Sequence, residues 1–187
     1  NTAQKSGYYY DHRRNRQSFE RLIAATNISK KNGLDLFSYL GTWGFHQLRA
    51  GIEKVDFVDQ GSLSDLYLDN LARNNYTDRG DFHQASVFDF LKNAASRSEK
   101  YNIISCDPPA FAKSKDKKIE AIRGYKKLHG QVFDVAAQGS LIAFASCTQY
   151  ISLEEFETTI LDSAHSRKRR VKLLDCGLQA WDHPLPR

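Results

Sequence analysis

The sequence contains no methionine, only four prolines and only three cysteines among 187 residues. A native chain begins with methionine, so we expect this sequence to be a piece of a longer protein. Cys106, Cys147 and Cys176 are odd in number, lie far apart and form no Cys-x-x-Cys pair, which argues against a disulfide framework and a zinc site. Free thiols are typical of a reducing compartment, so the sequence predicts a cytoplasmic protein.

Long apolar runs are also missing from the sequence. No stretch approaches the roughly 18 consecutive apolar residues of a membrane-spanning helix, and no charged and apolar leader opens the chain. We therefore expect neither a membrane span nor a signal peptide. The composition, 41% hydrophobic and 26% charged, is that of a globular domain. A formal net charge of +5 is compatible with a polyanionic partner, although many housekeeping enzymes are equally basic.

Segments with strand and helix patterns alternate along the chain, which predicts a doubly wound, mostly parallel α/β sheet of the Rossmann-like kind. The first 30 residues form an N-terminal segment with one helix, and residues 31–187 form the domain. The predicted strands are 33–37, 55–58, 82–87, 101–107, 140–147 and 171–175. Helices are predicted at 45–50, 63–74, from 89, at 119–137 and at 153–164.

The apolar run 101–106 stops abruptly at Asp107, which is followed by Pro108 and Pro109. Proline cannot donate a hydrogen bond to a sheet, so the strand ends there and a stiff loop follows. Ligands of open α/β sheets bind beyond the carboxyl ends of the strands, so Asp107 is a candidate for chemistry. The alternative is an aspartate that only caps the next helix.

A glycine-bearing turn, Phe37 to Gly44, follows the first predicted strand and opens a helix. Such a turn lets backbone amides approach a ligand closely. Asp59 ends the second strand, 24 residues after Asp35, where an acid commonly binds ribose hydroxyls. The glycines do not follow the G-x-G-x-x-G pattern, so the turn favours an adenosine-containing cofactor other than a nicotinamide one.

Basic residues are concentrated in two places that admit two interpretations. Arg13, Arg14 and Arg16 follow three tyrosines, and residues 113–118 carry four lysines. Each group is either a contact for phosphates or a solvated basic surface. The lone histidines show no metal-ligand spacing, so they are interpreted as structural and no metal is expected: His46, His83, His129 and His165.

Five motifs occur in a fixed order: DLFSYLGTWG at 35–44, DPPAF at 107–111, RGYK at 123–126, SCT at 146–148 and DHP at 182–184. Together they resemble the bacterial S-adenosylmethionine (SAM)-dependent cytosine-C5 methyltransferases of large-subunit ribosomal RNA that carry an N-terminal PUA domain. The resemblance covers nearly the whole chain. It implies the seven-stranded class I methyltransferase sheet, a cytoplasmic enzyme and ribosomal RNA as partner, with monomer and homodimer both open.

The resemblance also implies binding residues at the ends of the strands. SAM would be held by Phe37, Ser38, Tyr39, Gly41, Thr42, Asp59, Ser86, Val87, Asp107 and Pro108, with Arg13 closing over it. RNA would be contacted by Pro109, Phe111, Lys113 and Arg16.

The chain departs from the family pattern at four points. The PUA domain is absent, Ser86 stands where members usually have an acid, and Cys106 stands where an aliphatic residue is usual. The sequence also ends shortly after Asp182, His183 and Pro184, so we expect the domain to lack its last strand.

Cytosine C5 is a poor nucleophile, so its methylation needs a temporary covalent bond at C6, and a thiolate suits that attack. Cys147 is the candidate nucleophile, with Asp107 at the N3/N4 edge of a base that is single-stranded or flipped. The alternative for Cys147 is a small buried hydrophobe, and Cys106 is a weaker second candidate. Two further interpretations are a SAM enzyme with another target, such as guanine N7, and a non-catalytic RNA-binding module.

Overall fold

Strands and helices alternate from residue 13 to residue 166 in the computed structural model, which describes residues 11–112 and 114–178. The strands are β1 (Asn32–Leu36), β2 (Lys54–Asp59), β3 (Gly80–Gln84), β4 (Tyr101–Cys106) and β5 (Ala136–Phe144). The helices are α1 (Arg13–Ala25), α2 (Thr42–Arg49), α3 (Ser64–Arg73), α4 (Val87–Ser96), α5 (Lys118–Val135) and α6 (Leu153–Ser166).

The five strands form one parallel sheet in the order β3-β2-β1-β4-β5. The predicted doubly wound α/β fold is confirmed. Leu36, the last residue of β1, pairs with Val58 of β2 and with Cys106 of β4, so the three strands end at nearly the same level. Because the strand order reverses between β1 and β4, a crevice opens at their carboxyl ends, where this fold binds ligands.

Apolar side chains alternate between the two faces of the sheet and pack against a helical layer on each. On one face, α1, α2 and α3 contribute Phe19, Trp43 and Tyr67 to a cluster with Phe57 of β2. On the other face, α4 and α5 cover β1 and β4, and α6 packs on α5. Since α1 is part of this core, the chain before β1 is held against the domain. No helix in the described ranges is long and apolar enough to cross a membrane.

The structure corrects several predicted boundaries. The strand predicted at 82–87 lies earlier, at Gly80–Gln84, and Val87 begins α4. β5 ends at Phe144, so Cys147 lies in the loop beyond it. The strand predicted at 171–175 does not form, and Leu173 and Leu174 are 64% and 52% exposed. A strand pattern needs a neighbouring strand to pair with, and this segment has none among the described residues.

A polar cluster joins three strands on the α4 side of the sheet. Asp56 of β2 contacts His83 Nε2 at 2.9 Å through Oδ1 and accepts a 2.8 Å hydrogen bond from the Tyr101 hydroxyl through Oδ2. All three residues line a groove of about 650 Å³ beside α4. The groove does not include the loop after β1, Asp59 or Asp107, so it is distinct from the crevice at the strand ends.

We expect His83→Gln to cost more stability at about pH 6 than at about pH 8. The hydrogen bond with Asp56 raises the pKa of His83 above its ordinary value of 6.5. The interaction of His83 with Asp56 therefore stabilises the fold fully below the pKa that His83 has in the unfolded chain. This stabilisation is lost as the pH rises through the higher pKa of His83 in the folded protein. Both side chains are partly exposed, so the difference should be about 0.5 kcal/mol.

Urea unfolding of both proteins at the two pH values measures this difference. The matched control is His165→Gln, at an exposed position near the end of α6. This substitution should leave the free energy of unfolding unchanged at both pH values. An equal loss of stability from His83→Gln at both pH values would contradict the raised pKa of His83.

Candidate active site

The loop after β1 is held in an unusual backbone conformation. Phe37, Tyr39 and Gly41 have φ angles of 58°, 46° and 75°, in the left-handed region that non-glycine residues rarely adopt. A Cβ atom on Gly41 would also come within 3.1 Å of the rings of Phe45 and Phe57 and closer still to Tyr67. Strained backbone of this kind persists only where the surrounding structure enforces it, and it is concentrated at ligand sites.

Three hydrogen bonds to residues of β1 and β2 fix the loop. Ser38 N–H donates to Val58 O at 3.1 Å, and Tyr39 N–H donates to Asp59 Oδ2 at 2.9 Å. At the far end, Gly44 N–H donates to Asp35 Oδ2 at 2.8 Å. The loop is therefore shaped before any ligand arrives.

Asp35 is completely buried and was given no role by the sequence analysis. Besides the Gly44 amide, it accepts a 2.7 Å hydrogen bond from the Ser105 hydroxyl of β4 through Oδ1. Burial raises its pKa to about 7, although these two hydrogen bonds and the charge of Arg16 oppose the rise. The carboxyl group thus joins β1, β4 and the first turn of α2.

Asp59, at the end of β2, accepts one backbone N–H on each oxygen, from Tyr39 at 2.9 Å and from Gly61 at 2.8 Å. A carboxylate oxygen has two lone pairs, so each oxygen keeps one position for a further donor. Two vicinal hydroxyls of a ribose are donors of the right number and spacing. Asp59 is therefore both a clamp on the loop and a candidate ribose ligand.

Ser86 and Val87 lie where β3 passes into α4. Ser86 is the N-cap residue, has an extended backbone and makes no side-chain capping bond. Val87 is 2% exposed and packs in the core with Phe90 and Leu91, so its side chain does not face a ligand. Only Ser86 and the local backbone are available to an adenine at this position.

Asp107 lies directly after β4, at the centre of the strand ends. Its Oδ2 accepts a 3.0 Å hydrogen bond from Trp43 Nε1, and its Oδ1 lies 3.8 Å from His12 Nε2. Burial raises the pKa of Asp107, and the charge of His12 and the bond from Trp43 oppose this rise. Neither Trp43 nor His12 was identified from the sequence, although each is adjacent to a predicted cofactor-binding residue, Thr42 and Arg13 respectively.

Cys147 lies in the loop after β5, with Sγ 3.8 Å from the carbonyl oxygen of Pro108. The residue as a whole is exposed, but partial burial of the thiol raises its pKa, and the charges of Asp107 and Asp11 add to this effect. Cys106, by contrast, is 1% exposed and packs in the core, where burial raises its thiol pKa well above the ordinary value. Of the two thiols, Cys147 is the accessible one.

The residues predicted to contact RNA have different surroundings. Pro109 is exposed beside Asp107, whereas Phe111 packs on the ring of Tyr125 with centroids 4.7 Å apart. Arg16 is 1% exposed and is not accessible to RNA in this structure, while Arg13 is half-buried at the start of α1. Lys113 lies outside the described residues.

No metal site is built by the part of the chain that the structure describes, since no three His, Cys, Asp or Glu side chains there converge on one point. The site at the strand ends is instead formed by backbone amides, carboxyl groups, one indole and one thiol.

Comparisons with known proteins give two kinds of likeness. No family model matches the chain. It is 32% identical over 183 residues to ribosomal RNA large subunit methyltransferase I of Shewanella denitrificans, covering 97% of this chain and 45% of that protein. It is 33% identical over 187 residues to the protein of the same name from Aeromonas salmonicida, with the same coverage. The chain therefore spans less than half the length of these relatives.

Two solved structures have the same arrangement of strands and helices. SMU.776 in complex with SAH (S-adenosylhomocysteine) matches with a TM-score of 0.79 at 23% identity, over 96% of this chain and 46% of that one. A SAM-dependent methyltransferase from Agrobacterium tumefaciens matches with a TM-score of 0.69 at 14% identity, over 84% of this chain and 51% of that one. At these identities the likeness shows the fold, and the fold of this chain is that of the class I SAM-dependent methyltransferases.

Proposed function

We propose that this chain is the catalytic part of a SAM-dependent RNA methyltransferase that methylates cytosine C5 in large-subunit ribosomal RNA. The observation that carries the proposal is the placement of the Cys147 thiol beside the Asp107–Pro109 turn, at the sheet edge where the loop after β1 also lies. The names of the curated relatives support ribosomal RNA as substrate.

The strand ends fit SAM by the chemistry of their donors and acceptors. The loop residues Phe37, Ser38, Tyr39, Gly41 and Thr42 would hold its methionine part with backbone groups already fixed in place, and Asp59 would accept from the ribose hydroxyls. Ser86 would lie near the adenine. When bound, SAM supplies an electrophilic methyl group.

Cys147 and Asp107 would act on the base. The thiol loses its proton to water as Sγ bonds to C6, and ring electrons move toward N3, where a protonated Asp107 donates a proton. C5 then accepts the methyl group and its own proton leaves to water. The N3 proton returns to Asp107 as the C5=C6 bond reforms and the Sγ–C6 bond breaks, which releases the thiolate of Cys147. Burial of Asp107 favours this role because it raises the pKa of the carboxyl group and so favours its protonated form.

The target cytosine must leave any stack to bring C5 and C6 between Cys147 and the cofactor, so the RNA would be single-stranded or its base flipped. The rings of Tyr39 and Tyr150, in the loops after β1 and β5, would stack on it. Phe111 is already packed on Tyr125, and it would instead support the Pro109 turn from behind. An enzyme that methylates a ring nitrogen needs no thiol, so Cys147 favours C5 over such a target.

We expect Cys147→Ala to abolish methyl transfer to ribosomal RNA while leaving the affinity for SAM within about twofold of wild type. The thiol forms the bond that activates C5, but it is not among the groups proposed to hold the cofactor. Incorporation of labelled methyl groups into large-subunit ribosomal RNA measures the first effect, and calorimetric titration with SAM measures the second.

The matched control is Cys176→Ala, which removes an exposed thiol beyond α6 and should leave both quantities unchanged. Full turnover by the Cys147 variant would contradict the covalent mechanism. Absence of SAM binding to the wild-type protein would favour a non-catalytic module instead.

We expect Asp59→Ala to weaken SAM binding by at least about tenfold, or about 1.4 kcal/mol. The substitution removes the proposed acceptor for the ribose hydroxyls and also frees the amides of Tyr39 and Gly61 from their hydrogen bonds. Calorimetric titration with SAM measures the change. Asp65→Ala, at an exposed position in the first turn of α3, is the control and should bind as wild type does. An unchanged affinity for the Asp59 variant would rule out the proposed cofactor position.

A further inference from the structure

The RGYK motif at 123–126 lies in α5 and has no role in the chemistry proposed above. Its tyrosine, Tyr125, is completely buried. The rings of Phe111, His129 and Phe156 surround the Tyr125 ring, with centroids 4.7, 5.7 and 5.2 Å away. The core therefore fixes the ring in place. A phenylalanine would satisfy this packing equally well, so packing accounts for the ring but not for its hydroxyl.

The hydroxyl of Tyr125 reaches the loop that carries Cys147. It forms a 2.9 Å hydrogen bond with the hydroxyl of Ser146, the residue directly before Cys147. Burial raises the pKa of Tyr125 to about 12, although the bond with Ser146 opposes the rise, so the phenol keeps its proton at neutral pH. This contact links the rigid core around α5 to the residue next to the candidate nucleophile.

Cys147 is also anchored on its other side. The Thr148 hydroxyl donates a 3.1 Å hydrogen bond to the carbonyl oxygen of Ala112, in the loop after β4. The Thr148 N–H donates to Ser146 Oγ at 3.4 Å, so the two anchors also contact each other. The residues on either side of Cys147 are thus held, while Cys147 itself is exposed.

The same stretch of α5 supports the loop that carries Asp107. Gly124 leaves room for the Phe111 ring, since a Cβ atom on Gly124 would lie 3.0 Å from Phe111 Cδ2. Phe111 belongs to the loop after β4 and also packs on Tyr125. Two adjacent residues of α5 therefore contact both loops that hold the proposed reacting groups, Asp107 and Cys147.

We infer that Tyr125 is a positioning residue for Cys147, because its hydroxyl holds Ser146 and thereby places the thiol beside the Asp107–Pro109 turn. The inference rests on the proposed function, which requires Sγ at a defined place relative to the target base. Residues 145–152 form neither helix nor strand, so the side-chain hydrogen bonds supply much of the constraint on this loop. A misplacement of about 1 Å at a reacting atom can lower a rate by about 100-fold.

The test compares Tyr125→Phe with the wild type in the full-length protein that contains this chain, since phenylalanine keeps the ring and removes only the hydroxyl. With SAM and large-subunit ribosomal RNA saturating, we expect kcat to fall by about tenfold, while the affinity for SAM stays within about twofold. Tyr101→Phe is the matched control. It removes a hydroxyl that makes a 2.8 Å hydrogen bond with Asp56, at the opposite end of β4 from Asp107, and should keep the wild-type kcat.

Alkylation by iodoacetamide, followed by mass spectrometry, separates positioning from a general loss of stability and requires no methyl transfer. Without the bond to Ser146 the loop opens, and the thiol of Cys147, which is partly buried in the wild type, becomes more accessible. We expect Tyr125→Phe to raise the alkylation rate of Cys147 by about 3- to 10-fold. The rate for Cys106, which is 1% exposed in the core, should not change. An unchanged rate at Cys147 would overturn the inference, and so would an equal rise at both thiols.

A double variant tests whether the two hydroxyls act through their shared contact. Ser146→Ala removes the other half of the hydrogen bond and should resemble Tyr125→Phe in kcat and in Cys147 alkylation. Because both substitutions break the same bond, the double variant should be no worse than the more affected single one. Effects on kcat that multiply in the double variant would overturn the role of this bond. If the wild-type protein methylates no RNA while Tyr125→Phe still exposes Cys147, the proposed function fails and the placement of the loop by Tyr125 stands.

Discussion

The carboxyl group of Asp35 is the constraint on which the candidate site depends. It has no access to solvent, and its two oxygens are engaged by the Gly44 amide of α2 and the Ser105 hydroxyl of β4. A buried carboxylate is costly unless it is paired and hydrogen-bonded. Burial raises the pKa of Asp35 to about 7, and the two hydrogen bonds and the charge of Arg16 oppose this rise only in part. The strained loop between Asp35 and Gly44 is consequently held at both ends.

This arrangement makes the segment before β1 part of the site. Arg16 acts on Asp107 as well as on Asp35, and His12 faces Asp107 from one turn earlier in the chain. The packing of α1 against α2 therefore positions charges behind the strand ends in addition to covering the sheet. Trp43 links the core to Asp107, because its indole packs in the core and its Nε1–H donates a hydrogen bond to Asp107.

Local pattern was sufficient to predict the alternation of strands and helices, the strand end at Asp107 and the acid at Asp59, since each depends on a short run of residues and a proline or acid that ends it. The roles of Asp35, Trp43 and His12 were missed because they arise from contacts between elements far apart in sequence. The predicted strand at 171–175 was wrong because pairing depends on a neighbouring strand. The side chain of Val87 faces the core, which leaves the backbone of this residue for the predicted contact with adenine.

The proposed mechanism requires Cys147 to bond covalently to a cytosine during methyl transfer. Mass spectrometry of the full-length protein, incubated with SAM and an RNA that carries 5-fluorocytosine, tests it most directly, because fluorine cannot leave C5 as a proton does and the adduct is trapped. A covalent role for Cys147 predicts a protein–RNA species that maps to this residue. Methylated RNA that forms from the unmodified substrate with no trapped adduct from the fluorinated one would contradict the covalent role of Cys147 and the assignment of C5 as the target.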